Sequence, residues 1–195
     1  MNPRCRTDVP AAPALRVIGV DPGSETTGVG IVEHAAGKSR VLFWEAIAAG
    51  REPTFPGRLR LIHEHLTQAV ALYQPHSASV ENVFYALNVQ SALKLGQTRG
   101  AVLLSLELAG VETFSYTPLE IKKALVGYGR AGKEQVRDMV RLLLGLAGRE
   151  IPIDASDALA AALCHVNHHA VRSAWDLAAA NTPGPPRLKI GRRFR

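Results

Sequence analysis

Three short apolar runs open the body of this chain with only turns between them, and their order limits the fold more than any other feature. Residues 16–20 end at Asp21, Pro22-Gly23-Ser24 turns the chain, residues 28–33 resume the apolar character, and residues 40–47 add a run rich in Val, Leu, Phe, Trp and Ile. Runs this short and closely spaced read as the strands of an antiparallel meander. The period then changes. Leu59, Ile62, Leu66, Ala69 and Tyr73 recur at three- and four-residue steps until Pro75, which predicts a helix. Residues 79–83 predict a fourth strand, 88–109 a long helix and 112–116 a fifth strand, an alternation that implies parallel pairing. Beyond it, Val136, Met139, Val140, Leu143 and Leu144 line one helix face, and residues 156 to about 179 form an Ala-rich helix. The result is an α/β domain on a mixed five-stranded sheet with helices on both faces.

One domain accounts for residues 16–181. Residues 1–15 carry Pro3, Pro10 and Pro13 without periodicity and read as a flexible N-terminal arm; residues 182–195 begin with Pro183, Gly184, Pro185 and Pro186 and read as a basic C-terminal tail. These ends explain the charge. Across 195 residues, 23 Lys and Arg face 17 Asp and Glu, for a net +6 and a pI near 9.7. Five bases without an acid lie in the tail, and Arg4 and Arg6 outnumber Asp8 in the arm, which leaves 16 of each sign in the body. The nucleic-acid partner signalled by the pI therefore rests largely on the ends. Cys5 and Cys164 make no disulfide framework, and a cytoplasmic setting fits. No uncharged apolar run reaches the roughly 18 residues of a membrane span, and the first 15 residues lack the apolar centre of a signal peptide.

Four carboxylates sit where such a sheet would collect them. Asp21 ends the first strand, Glu81 lies at the end of the fourth, and Asp154 and Asp157, three residues apart, share one face at the start of the last helix. Taken singly, three have an ordinary explanation, a turn residue at Asp21, an N-cap at Asp154 and a helix-dipole partner at Asp157, and Glu81 alone means little. Together they suit metal-assisted phosphodiester hydrolysis, in which Mg²⁺, or Mn²⁺ in its place, is held by a few carboxylates and substrate phosphate, two ions to a site. Without cations such a cluster should show a raised pKa or an open geometry.

The residues that carry a resemblance run in order through the body: Ile18-Gly-Val-Asp-Pro-Gly-Ser-Glu-Thr-Thr-Gly28, Val80-Glu-Asn-Val-Phe84, the segment from Asn88 to Gly100, Tyr116-Thr-Pro-Leu-Glu-Ile-Lys122, Val126-Gly-Tyr-Gly129, Lys133-Glu-Gln-Val136 and Asp154-Ala-Ser-Asp-Ala-Leu-Ala160. The chain thereby resembles the RuvC family of Holliday junction endonucleases, within the RNase H-like superfamily. The resemblance implies that Asp21, Glu81, Asp154 and Asp157 are the catalytic, metal-binding acids; some relatives carry His where this chain has Asp154. It implies a catalytic Lys133 near the scissile phosphate with Lys122 close by, and an aromatic, Phe84 with Tyr85 beside it, presented to DNA at the crossover. Lys94 and Arg99 on the following helix would reach phosphates or a partner subunit. Further implications are paired symmetric nicks in a four-way junction during homologous recombination and DNA repair, leaving 5′-phosphate and 3′-hydroxyl ends, a homodimer matched to the junction's two-fold symmetry, and contacts with the RuvA and RuvB branch-migration proteins.

Other readings compete. The Asp21–Gly28 segment also reads like the phosphate loop of an actin-like sugar kinase or ATPase, though a body of this size has little room for the second domain such enzymes need. A non-catalytic DNA-binding relative would be expected to lose an acid, and none is lost. His165, His168 and His169 have Zn²⁺-compatible spacing without a Cys or carboxylate to complete a site, and His63 and His65 diverge on a helix. Neither group is a predicted site.

Overall fold

The computed structural model describes residues 14–82 and 88–181. Phe84, Tyr85 and the tail 182–195 lie outside the described residues, as does most of the arm. The expected meander is present as β1 (Leu15–Asp21), β2 (Thr27–Ala35) and β3 (Lys38–Ile47), each antiparallel to the next. Ala36 and Gly37 join β2 to β3 with φ of 50° and 75°, the two positive values that a tight two-residue hairpin turn demands. Two further strands, β4 (Ser77–Glu81) and β5 (Glu112–Tyr116), add in parallel beyond β1, giving the order β3-β2-β1-β4-β5.

The two faces of the sheet are covered differently. Alternation along β1 sends Ile18 and Val20 to one side, where they join Ile62, Leu66 and Val70 of α1 (Phe55–Tyr73) and Val102 and Leu106 of α2 (Val89–Leu108). Val17 faces the other side, toward α5 (Ile153–Asn181), against which α3 (Pro118–Val126) and α4 (Lys133–Leu143) pack. Here the contact is backbone on backbone. A Cβ placed on Gly19 would overlap the Ala158 carbonyl oxygen, one on Gly28 the Asp154 carbonyl oxygen, and one on Gly30 would come within 2.7 Å of Leu159. The alanines of α5 complete that close fit: Ala155, Ala158, Ala160, Ala161 and Ala162 are all fully or almost fully buried.

Several sequence expectations shift. The fourth strand runs from 77 to 81 rather than 79 to 83, because Ser77 and Ser79 are buried in it, and the Ser79 hydroxyl donates to the Ala161 carbonyl at 2.7 Å. Leu143 is 42% exposed and leaves the apolar face of α4, whereas Leu144, at the cap, turns back into the core. Periodicity does not announce helix α3; Thr117 and Glu120 start it with a reciprocal capping box. Helix α5 begins at Ile153, so Asp154 lies in its first turn and is not its cap. Among the described residues no helix is long and apolar enough to cross a membrane.

Candidate active site

Asp21 and Glu81 are the last residues of two adjacent parallel strands, β1 and β4, so the sheet delivers both carboxylates to one edge. The third element arrives through glycine. Asp21 is paired across the ladder with Gly28, and the missing side chain at Gly28 is what lets the backbone of Asp154 rest on β2 beside it. One further turn of α5 brings Asp157 round to the same side. Asp21, Glu81 and Asp157 line a cavity of ≈ 330 Å³ together with Lys122 of α3 and Lys133 at the start of α4. Asp154 is outside that lining but within electrostatic reach of both Asp21 and Asp157.

The electrostatics are those of carboxylates short of cations. Burial, followed by the charges of Glu81, Asp157 and Asp154, pushes the Asp21 carboxyl up to about 8, and a hydrogen bond shared with Glu81 adds to the rise. Glu81 is raised by burial and by Asp157, against the lowering effect of that hydrogen bond and of Lys133 and Lys122. Asp157 is also raised, first by burial, with Lys133, Arg137 and Lys122 opposing. Of the two signs expected of a metal-free cluster, the raised pKa is present at Asp21, Glu81 and Asp157, and among the described residues no three His, Cys, Asp or Glu side chains form a group that could hold a metal ion. The all-oxygen donor set fits a hard divalent cation, whose charge would take the place of the proton held between Asp21 and Glu81.

The turn that follows Asp21 is fastened from two sides. Thr27, fully buried, donates to the Gly23 carbonyl at 2.7 Å, so its hydroxyl is spent within the turn and is not offered to a phosphate as the kinase-like reading would require. Arg58 of α1 pairs with the Glu25 carboxylate and reaches the carbonyls of Ser24 and Gly50 at 3.4 Å. Arg58, Arg137, Thr27 and Gly28 are not distinguished by sequence reasoning alone. The available signal was the glycine at alternate positions 28 and 30, which in a strand marks close approach of another backbone.

The remaining candidates fall elsewhere. Lys94 is exposed on α2, and Arg99 donates to the Ser115 hydroxyl at 2.8 Å, tying α2 to β5. His165 is buried, shares a 2.8 Å hydrogen bond with the Tyr116 hydroxyl and packs on Phe114; burial first, then His169 and His168, lowers its pKa to about 4. His63 is paired with Ser105 and His65 with Glu45. Burial pushes the Cys164 thiol up to about 12, which leaves it inert.

A mixed sheet in this order, with carboxylates at the ends of its first and fourth strands and at the start of the last helix, defines an RNase H-like nuclease. The family model for crossover junction endodeoxyribonuclease RuvC matches residues 17–165, and the chain belongs to the RuvC family. The crossover junction endodeoxyribonuclease RuvC of Trichlorobacter lovleyi is 48% identical over 159 residues, which cover 81% of this chain and 88% of that protein. The solved structure of T. thermophilus RuvC in complex with a Holliday junction substrate is 34% identical, with a TM-score of 0.77 over 82% of this chain and 97% of that one. The yeast mitochondrial Holliday junction resolvase, 16% identical with a TM-score of 0.62 over 89% of this chain and 88% of that one, shares the fold.

Proposed function

We propose that this protein resolves four-way DNA junctions by paired symmetric nicks, acting in the cytoplasm during recombination and repair and leaving 5′-phosphate and 3′-hydroxyl ends. The observation that carries this reading is the convergence of Asp21, Glu81 and Asp157 with Lys122 and Lys133 on one cavity, with Asp154 alongside. In this reading the four carboxylates hold two Mg²⁺ ions, with Mn²⁺ able to replace them. The ions, when bound, supply an activated water and charge neutralisation at the leaving oxygen. Lys133 and Lys122 hold the scissile phosphate opposite the acids and stabilise the charge that develops on it. Phe84 and Tyr85 meet the DNA at the crossover, and Lys94 and Arg99 contribute to phosphate or subunit contacts, Arg99 while also tied to Ser115.

A homodimer is supported by the outer side of α2. Val89, Leu93 and Leu104 are 75%, 61% and 59% exposed, and with Gly96 and Gly100 they recur at three- and four-residue steps along one stripe. Nothing lies within 4 Å of a Cβ placed on either glycine, so a second helix has room to approach closely. A two-fold dimer built on this stripe presents two sites to two symmetry-related strands. RuvA and RuvB are the partners that family membership suggests.

The test compares cleavage of a four-way junction with that of a linear duplex, with and without Mg²⁺ or Mn²⁺, for the wild type and Asp21→Asn. The wild type should nick only the junction and only with metal. Asp21→Asn should lose at least about 100-fold in rate while still binding the junction, because a ligand is removed without a clash. Undiminished cleavage by the variant would remove Asp21 from the chemistry.

A further inference from the structure

The connection between α3 and α4 carries a side chain that the assembled site leaves unexplained. Tyr128 is 48% exposed, yet its hydroxyl already donates to Gln135 Oε1 at 3.2 Å. A surface tyrosine ordinarily buries its ring and gives its hydroxyl to water. With the hydroxyl proton given to Gln135, the ring is the larger group that Tyr128 has left to offer a partner.

The hydroxyl anchors the side chain at one end, and the segment that carries it is shaped by glycines. Gln135 is itself fixed, since the same Oε1 accepts the Gly132 N–H at 2.9 Å and caps α4 two residues after Lys133. On the other side Gly127 turns the chain at φ 87° to end α3, and Gly129 leaves no side chain where Leu119 packs against it. The surroundings are cationic. From Ile121 to Lys133 the chain carries Lys122, Lys123, Arg130 and Lys133 and no acid, and two of these four line the cavity with the carboxylates. An exposed aromatic side chain in a basic segment, on the connection between the two helices that bring Lys122 and Lys133 to the cavity, matches a nucleic-acid strand better than an apolar protein surface, because every nucleotide has a base face to stack and a charged linkage to pair.

We propose that Tyr128 stacks on a base flanking the scissile phosphate and so helps to hold that strand in the site. This contact rests on the reading that the cavity cuts DNA. It adds to that reading a side chain from a different segment than the crossover aromatics, one that grips the strand through stacking and not through charge.

The experiment uses the full-length protein with Tyr128→Leu and Tyr128→Trp, four-way junctions, and junctions carrying single abasic positions on either side of the nick. Tyr128→Leu should weaken junction binding about tenfold, on the scale of one base–aromatic stack, and Tyr128→Trp should not. The slope of log Kd against log salt concentration should be the same for both variants and the wild type, because no cation is removed. One abasic position should cost the wild type about tenfold and cost Tyr128→Leu nothing, since the stack is already gone. Melting temperatures report separately on folding. If the wild type fails to nick junctions, the underlying reading falls. If it nicks them, and Tyr128→Leu binds and cuts as the wild type does with no abasic position distinguishing the two, the stacking contact is overturned and the exposed ring is left to a protein partner.

Discussion

The two faces of the sheet solve the same burial problem in opposite ways. On the α1/α2 face, Ile18, Val20, Ile31, Ile62, Leu66 and Leu106 interlock as large side chains, and the buried carboxylate there, Glu33, is gripped by Arg16 at 2.9 Å and Arg40 at 2.6 Å, which hold its pKa below the usual range. On the α5 face, glycine and alanine bring backbones together, and the carboxylate on that side, Asp21, makes no such ion pair among the described residues and is raised to about 8. One face is built to be satisfied as it stands. The other is rigid in its backbone and incomplete in its charge, the combination expected where a ligand finishes the structure.

The largest test of this contrast is Gly28→Ala. The added methyl group meets the Asp154 backbone, which has nowhere to retreat, so the variant should lose about 3 kcal/mol or more in chemical denaturation. Cleavage should fall with it, because whatever displaces the start of α5 displaces Asp154 and Asp157. A variant with wild-type stability would break the idea of a close-fitted face.

An intermediate effect is expected from pH. Asp21 titrates near 8 in the folded metal-free protein and near its ordinary value of 3.8 once unfolding exposes it to water, so folding takes up a proton between those values, and stability should fall as pH rises from about 4 toward about 8. Glu81 and Asp157 are raised too and add to the same trend. Asp21→Asn should flatten it, as followed by the denaturation midpoint across the pH range in the presence of a chelator. Glu33 has the opposite sign: its contribution is present above the ordinary glutamate range and is lost only as pH falls below about 4.5. A wild-type midpoint that rises between about pH 5 and 8 would contradict the charge imbalance at Asp21.

The smallest effect belongs to Gly96→Ala. Its Cβ points into open space, so the subunit should gain roughly 0.5–1 kcal/mol from helix propensity, the reverse of the outcome at Gly28. Dimerisation should weaken in sedimentation experiments if the stripe on α2 is the subunit contact. A gain in stability with unchanged association would keep the contrast between the faces and move the dimer elsewhere.

Much of this is legible in the sequence, and the parts that are not share a cause. The meander, the alternating second half and the position of Asp21 at a strand end follow from short apolar runs punctuated by turns, whereas the predicted run 79–83 has Glu81 in its middle and only the observed strand Ser77–Glu81 ends on it. The two-residue displacement of β4 arises because hydrophobicity is an incomplete mark of a strand here: the α5 face admits small residues, and Ser77 and Ser79 are buried there, the latter by giving its hydroxyl to the Ala161 carbonyl. Helix α3 is hidden because nine residues give too few turns for a periodic signal, although its capping residues are present in Thr-Pro-Leu-Glu. At the site, the identity of the acids can be read from resemblance. The proton held between Asp21 and Glu81 cannot, since it depends on how deeply both are buried.

The dependence of the site on α5 has a consequence for how such a protein is made. Asp154 and Asp157 are supplied by the last helix, and that helix can seat only against the glycines of strands translated long before it. A nascent chain still lacking α5 holds Asp21 and Glu81 without their partners. In the proposed reading the capacity to cut DNA therefore waits on α5, and a chain cut short before Asp154 should leave DNA intact.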